Sequence, residues 1–132
     1  MTKYFAFGML MIWVTSCSTG TSPSELWETQ GVWELQAIGS TAIPDPANYT
    51  LQFSEDGRVQ IRADCNNCIG DYETNGNAIT IGPLGCTRAF CGADSFFDEF
   101  VAGLESASSF VRRGDTLELT SSEGVMSFRV AP

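Results

Sequence analysis

Four cysteines between positions 65 and 91 are the residues whose types and spacing point most directly to chemistry. They form a Cys-x-x-Cys pair, Cys65 and Cys68, followed by a Cys-x4-Cys pair, Cys86 and Cys91. Four thiolates at such spacings can hold a zinc ion, a Cys-x-x-Cys pair can exchange electrons, and four cysteines can form two disulfides. Redox exchange fits less well, because the first pair follows a predicted strand and no helix start lowers a thiol pKa. The residues alone leave the three interpretations open.

Acidic side chains flank these cysteines, and a pair of carboxylates can act as general acid and base. Asp64, Asp71 and Asp94 are the nearest. The chain has 16 Asp and Glu residues against 7 Lys and Arg, so acidic neighbours are expected anywhere on a solvated surface. We interpret the three carboxylates as surface groups and predict no catalytic residue, no metal site, no cofactor and no enzymatic activity.

The composition excludes several classes of protein. The 132 residues include no histidine, which removes Ser-His-Asp and Cys-His catalysis and most zinc chemistry. A net charge of −9 argues against nucleic acid as a partner, because binding requires a basic patch that neutralises phosphates. The hydrophobic fraction of 43% is ordinary for a globular protein, whereas the charged fraction of 17% is below the usual quarter and argues against a disordered chain or a coiled coil. The length predicts one domain.

Residues 1–16 have the features of an export signal. Lys3 precedes an apolar run over residues 4–14, which suits the core of a signal peptide (about 7–15 residues) and is shorter than the roughly 20 of a transmembrane helix. The following Val14-Thr15-Ser16-Cys17 resembles the lipobox of bacterial lipoproteins. That resemblance implies that Cys17 becomes the N-terminus and carries a lipid that anchors the chain to a membrane. The alternative is a plain secretory signal.

The lipobox defines the domain boundaries and the compartment. Residues 1–16 are the predicted signal peptide, residues 17–26 the lipidated cysteine with a flexible tether, and residues 27–132 the folded domain. By resemblance to lipoprotein sorting, Ser18 in place of an aspartate favours the outer membrane, with the domain facing the periplasm. Assigning Cys17 to lipid leaves an even set of four cysteines, and export to an oxidising compartment favours disulfides over zinc or redox chemistry.

Alternation of apolar and polar residues predicts β-strands through most of the domain. Asp56-Gly57 and Asn75-Gly76 supply the positive φ of tight hairpin turns between them. About eight short strands connected by local turns predict a mainly β fold, a small antiparallel barrel-like meander, with a two-sheet sandwich as the alternative. The residues predicted to point inward are Trp33, Leu51, Phe53, Ile61, Leu117 and Phe128.

One segment has helical periodicity instead, and predicts a single inserted α-helix over about residues 95–107. Its apolar residues fall at positions 96, 97, 100, 101 and 104, which lie on one face of a helix. Ser95 with Asp98 three residues later resembles a capping pair. We expect the apolar face to pack against an open end or a side of the sheet.

Several short motifs occur together around the cysteines. They are Cys65-Asn66, Gly70-x-Tyr72 and a threonine, Thr87, four residues before Cys91. Together with an upstream Trp-Glu-Leu segment and a closing Gly-Asp-x-Leu-x-Leu segment, they resemble the META domain family, also called HslJ-like. The resemblance covers roughly residues 27–130.

The resemblance implies an antiparallel barrel-like domain in the cell envelope, loosely tied to stress and antibiotic tolerance, without established enzymatic activity. It matches Cys65 and Cys91 to the bonded pair of the family, which leaves Cys68 and Cys86 to each other. The predicted function is therefore a non-enzymatic, lipid-anchored envelope protein that binds an unknown envelope protein or ligand. The alternatives are a lipocalin-like binder of a small apolar ligand and a barrel that resembles protease inhibitors.

Overall fold

The structure is a computed structural model, and it describes residues 12, 26–27 and 31–132. Apart from residue 12, the predicted signal peptide lies outside the described residues, as do Cys17 and the tether up to residue 25. These parts of the sequence analysis therefore stay predictions. In the portion of the chain that is described, no helix combines the length and the apolar character needed to cross a membrane.

Ten β-strands and one α-helix form within the described residues. The alternation of apolar and polar side chains explains why the longer strands form. The turns at Gly76 and Gly114, both at φ +60°, connect neighbouring strands as hairpins. The elements are β1 (Trp33–Ile38), β2 (Thr41–Ala42), β3 (Tyr49–Phe53), β4 (Arg58–Ala63), β5 (Asn66–Asn75), β6 (Ala78–Ile81), β7 (Gly85–Cys86), α1 (Phe97–Glu105), β8 (Ser109–Arg113), β9 (Thr116–Ser121) and β10 (Gly124–Val130).

The strands close into a barrel. Their order is β10-β9-β8-β6-β5-β4-β3-β1, and β10 pairs back with β1. Every pairing is antiparallel. Within the described residues the closed ring therefore has eight strands, and two short extra strands lie outside it, β2 paired with β1 and β7 paired with β5. The prediction of a mainly β, antiparallel, barrel-like meander is confirmed, and the two-sheet sandwich is not formed.

The inward face of the barrel is the face that the alternation predicts. All six residues predicted to point inward are buried. Phe100 and Phe110 are among the other large side chains that are fully buried with them. These side chains fill the interior, and the grooves described below lie outside the barrel or at its rim. The packing gives no support to a lipocalin-like pocket.

The helix packs its apolar face onto the barrel, as predicted, but is shorter than predicted. It begins at Phe97 and ends at Glu105, within the predicted range 95–107. The ring of Phe100 lies 5.7 Å from that of Tyr49 and 6.3 Å from that of Phe128, so it packs between β3 and β10. An added Cβ at Gly103 would lie 2.6 Å from the sulfur of Met126, which shows how closely α1 approaches β10.

The predicted capping pair is not formed. Phe96 occupies the N-cap position, and no side chain caps the helix there. The Ser95 hydroxyl instead accepts a hydrogen bond from the backbone N–H of Phe97 at 3.2 Å. The first turn is also held from β3, because the hydroxyl of Tyr49 accepts a hydrogen bond from the Phe96 N–H at 2.9 Å.

Candidate functional site

Two disulfides of the described residues attach the connection between β6 and α1 to the barrel. Cys65–Cys91 joins the turn before β5 to this connection, and Cys68–Cys86 joins β5 to β7. Cys68 and Cys86 lie directly opposite each other in the β5–β7 ladder. This is the pairing that the family resemblance implies. Each sulfur is bonded to another cysteine, so none of these four residues is available as a thiolate to bind zinc. Cys65 and Cys68 are not bonded to each other, so the structure does not support the interpretation of the Cys-x-x-Cys pair as a redox pair.

Asn66 holds the loop that follows β7. The residue is 1% exposed, and among the described residues no other amide and no charged residue is buried. Its Oδ1 accepts hydrogen bonds from the Ala89 N–H at 2.7 Å and the Thr87 hydroxyl at 3.0 Å, and its Nδ2 donates to the Ala89 carbonyl at 2.9 Å. A buried amide with its donors and acceptors satisfied fixes the groups that it contacts.

Thr87 extends the attachment toward β5. Its N–H donates to the Asn67 carbonyl at 3.0 Å, and its hydroxyl accepts from the Asn67 N–H at 3.0 Å. At the other end of the loop, the Cys91 sulfur accepts from the Cys65 N–H at 3.2 Å. The Cys-Asn pair, the threonine and the second cysteine of the sequence motif are thus joined by hydrogen bonds. We call residues 87–91, which this arrangement holds, the stapled loop.

Phe90 lies at the outer side of the stapled loop and is 88% exposed. Its neighbours Ala89 and Cys91 are both fixed by the contacts just described. A groove of about 410 Å³ lies beside it, with Phe97 and Asp98 in its wall. An exposed phenylalanine on an ordered loop can bury apolar surface against a partner with little ordering cost. The sequence analysis missed Phe90, because its exposure depends on the fold of the loop and no local pattern indicates it.

The three carboxylates that the sequence analysis considered do not form one cluster. Asp64 and Asp94 line a second groove of about 410 Å³, together with Asp45. Asp71 lies on β5, where it forms an ion pair with the Nε of Arg58 at 3.3 Å, and both side chains are exposed. The surface interpretation fits Asp71, whereas Asp64 and Asp94 border a groove at the rim of the barrel.

Tyr49 connects this second groove to the helix. Its hydroxyl donates a hydrogen bond to Oδ2 of Asp64 at 3.2 Å while it accepts the one from Phe96. Burial raises the pKa of Tyr49, the hydrogen bond from the Phe96 backbone acts in the opposite direction, and the nearby charge of Asp64 raises it further. The hydroxyl therefore stays protonated over the physiological range, as its donor role requires.

Comparison with known proteins places the fold among solved structures. A protein solved by NMR has a TM-score of 0.65 at 16% identity, over 83% of this chain and 95% of the other. An NMR structure of a protein from Burkholderia xenovorans has a TM-score of 0.63 at 20% identity, over 99% of both chains. A crystal structure of a DUF4847 family protein from Bacteroides vulgatus has a TM-score of 0.54 at 16% identity, over 75% of this chain and 91% of the other. Identities this low show a shared fold alone.

None of the curated proteins matches the chain significantly. The model of the META domain family, however, matches residues 26–131, which is the whole barrel with its helix and the stapled loop. The match confirms the resemblance that the cysteine, asparagine and threonine motifs indicate. The chain belongs to the META domain family.

Proposed function

We propose that this protein is a lipid-anchored binding module of the bacterial cell envelope that performs no catalysis of its own. The observation that carries the proposal is the stapled loop, which displays Phe90 to solvent while a disulfide and a buried amide hold the backbone on both sides of it. Aromatic side chains that anchor an interface are among the groups that contribute most to binding. A loop fixed before binding loses little conformational entropy in the complex.

The proposed location follows from the sequence and is supported by the cysteines. Residues 1–16 have the pattern of a lipoprotein signal, and Cys17 is the proposed site of lipid attachment. Disulfides persist in oxidising compartments such as the periplasm, and the Cys65–Cys91 and Cys68–Cys86 bonds suit such a compartment. We further propose attachment to the outer membrane with the domain in the periplasm, and, by family resemblance, a role in envelope stress or antibiotic tolerance.

Replacing Cys17 with serine is expected to abolish lipid attachment, because the hydroxyl cannot form the thioether through which the lipid is held. The variant should accumulate as an unprocessed precursor or as a soluble protein. Metabolic labelling with a radioactive fatty acid, followed by separation of membrane and soluble fractions, measures the effect. Ser18→Ala is the matched control and should be labelled and processed normally. A Cys17→Ser protein that is labelled and processed like the control would contradict the proposed anchor.

A photo-reactive residue at position 90 tests the proposed binding surface. Benzoylphenylalanine at Phe90 should give a discrete crosslinked product in intact cells, because this side chain is the one proposed to contact the partner. The matched control is Val125, which is also exposed but lies on β10, outside the stapled loop. Equal crosslinking from both positions, or none from either, would contradict the proposal that the stapled loop is a specific binding surface.

A further inference from the structure

A third groove lies on the outside of the barrel, on the face formed by β3, β4 and β5. In the antiparallel register of β3, β4 and β5, the side chains on this face form two rows that run across the strands. Arg62 is at the centre of the first row, and Gln60 is at the centre of the second. The groove has a volume of about 640 Å³. We call it the outer groove, and its lining is Val32, Thr50, Gln52, Gln60, Ile61, Arg62, Asn67, Cys68, Ile69, Gly85, Cys86 and Thr87.

Three amide side chains in the outer groove have unused hydrogen-bonding capacity. Gln52 and Gln60 lie directly opposite each other on β3 and β4, and Asn67 lies opposite Arg62 on β5. Within the part of the chain that the structure describes, the three amides make no hydrogen bond to the protein. Each amide can donate two hydrogen bonds and accept two. Together they offer a ligand donors and acceptors from three adjacent strands.

The charge of the outer groove differs from that of the chain as a whole. The chain carries a net charge of −9, yet none of the twelve described residues that line the groove is an aspartate or a glutamate. Arg62 is the charged residue in this lining, and its Nε donates a hydrogen bond to the Asp64 carbonyl at 3.2 Å. Because most polar side chains of the lining are uncharged, it suits a ligand that is rich in hydrogen-bonding groups.

The groove also has an apolar wall. Ile69 on β5 is 45% exposed, and its partner on β7 is Gly85, which has no side chain to cover it. Sugar rings present C–H groups on one face and hydroxyl groups at their edges. The Ile69 side chain can therefore pack against such a face while the neighbouring amides bind the edges, in keeping with sites that combine apolar walls with a few polar groups.

The strand pairing argues against an extended peptide as the ligand. A peptide that adds to a sheet requires a strand edge whose backbone N–H and C=O groups are unpaired. In the described structure β3 pairs with both β1 and β4, β4 with both β3 and β5, and β5 with β4, β6 and β7. The outer groove thus offers the side chains of a sheet face rather than a free backbone edge.

We propose that the outer groove binds a glycan chain that carries hydroxyl and acetamido groups. The choice of a glycan rests on the proposed envelope location, whereas the evidence for a binding groove is the strand register and the three free side-chain amides. Hydroxyl and acetamido groups both donate and accept hydrogen bonds, which matches Gln52, Gln60 and Asn67. The oligomer of four N-acetylglucosamine units is a defined probe of this chemistry.

Titration of the isotope-labelled protein with this oligomer, followed by NMR, tests the proposal directly. The side-chain NH₂ signals of Gln52, Gln60 and Asn67 should shift in a saturable manner. The NH₂ signal of Asn77 should not shift, because this amide lies in the turn between β5 and β6, outside the groove lining. Absence of shifts at the three groove amides, or shifts of equal size at Asn77, would overturn the proposal.

Matched variants locate the site. Gln60→Ala should weaken binding of the oligomer by about three- to tenfold, the range for the loss of one or two hydrogen bonds. Asn77→Ala, which also removes one exposed amide, should leave the affinity unchanged, and unchanged backbone spectra establish that both variants fold. Equal affinities for the two variants, or the same groove shifts on addition of tetra-alanine, would overturn glycan recognition. Because the titration uses purified protein, its outcome is separate from that of the lipid anchor and of the Phe90 crosslink.

Discussion

Leu117→Ala is expected to lower the free energy of unfolding by about 2–5 kcal/mol, the cost of a cavity in a packed core. Leu117 on β9 is 0% exposed and lies opposite Phe128 on β10. Partial relaxation around the missing side chain cannot replace its contacts, because the barrel interior is filled by neighbouring side chains on all strands. The expected effect is therefore a large share of the total stability of a domain of this size.

The neighbouring residue supplies a matched control for this prediction. Glu118 is exposed and points to the outer face of β9, so Glu118→Ala should change the free energy of unfolding by no more than about 0.5 kcal/mol. Urea unfolding of both variants, followed by tryptophan fluorescence, measures the difference. Equal destabilisation by the two changes would contradict the assigned inward face of β9. A larger effect at Glu118 would mean that β9 is shifted by one residue, because such a shift exchanges the two faces of a strand.

Removing the Cys65–Cys91 disulfide by a double change to serine is expected to cost on the order of 3 kcal/mol. The bond joins residues separated by 26 positions, and its loss increases the conformational freedom of the unfolded chain. It also frees one end of the stapled loop. In the native loop the Ala89 N–H donates a hydrogen bond to Oδ1 of Asn66. Hydrogen exchange at this N–H should increase by more than the loss of global stability alone would cause.

The Cys68–Cys86 bond is the control for the local effect. Its double serine variant should lose a similar amount of global stability, because the separation of 18 positions closes a loop of comparable length. Exchange at Ala89 should then rise only in proportion to that loss, since Cys65–Cys91 still holds the loop. Identical exchange rates at Ala89 in the two variants would contradict the assignment of the stapled loop to Cys65–Cys91.

The sequence determines most of the barrel through side-chain alternation. Leu117, Glu118 and Leu119 illustrate why, because a shift of one residue would move both leucines to the outer face and the glutamate to the inner face. The helix was also predictable, since the apolar spacing around Phe100 fits the period of a helix and not that of a strand. Positive-φ glycines such as Gly76 mark where one strand ends and the next begins.

The features that the sequence does not reveal depend on residues far apart in the chain. Strands β2 and β7 have two residues each, too short for any periodicity, and β7 is placed by its pairing with β5. The start of the helix depends on Tyr49 of β3, so the local Ser95 pattern was misleading. The burial of Asn66 and the exposure of Phe90 likewise follow from the fold of the stapled loop, and no local pattern specifies either.

A disulfide map of the protein purified without reductant is the most direct test of the stapled loop. Trypsin cuts after Arg88 and so separates Cys86 from Cys91, and stepwise partial reduction with alkylation distinguishes Cys65 from Cys68, between which trypsin has no site. The structure predicts Cys65 linked to Cys91 and Cys68 linked to Cys86. A Cys65–Cys68 bond, free thiols at these four positions, or stoichiometric zinc would contradict it.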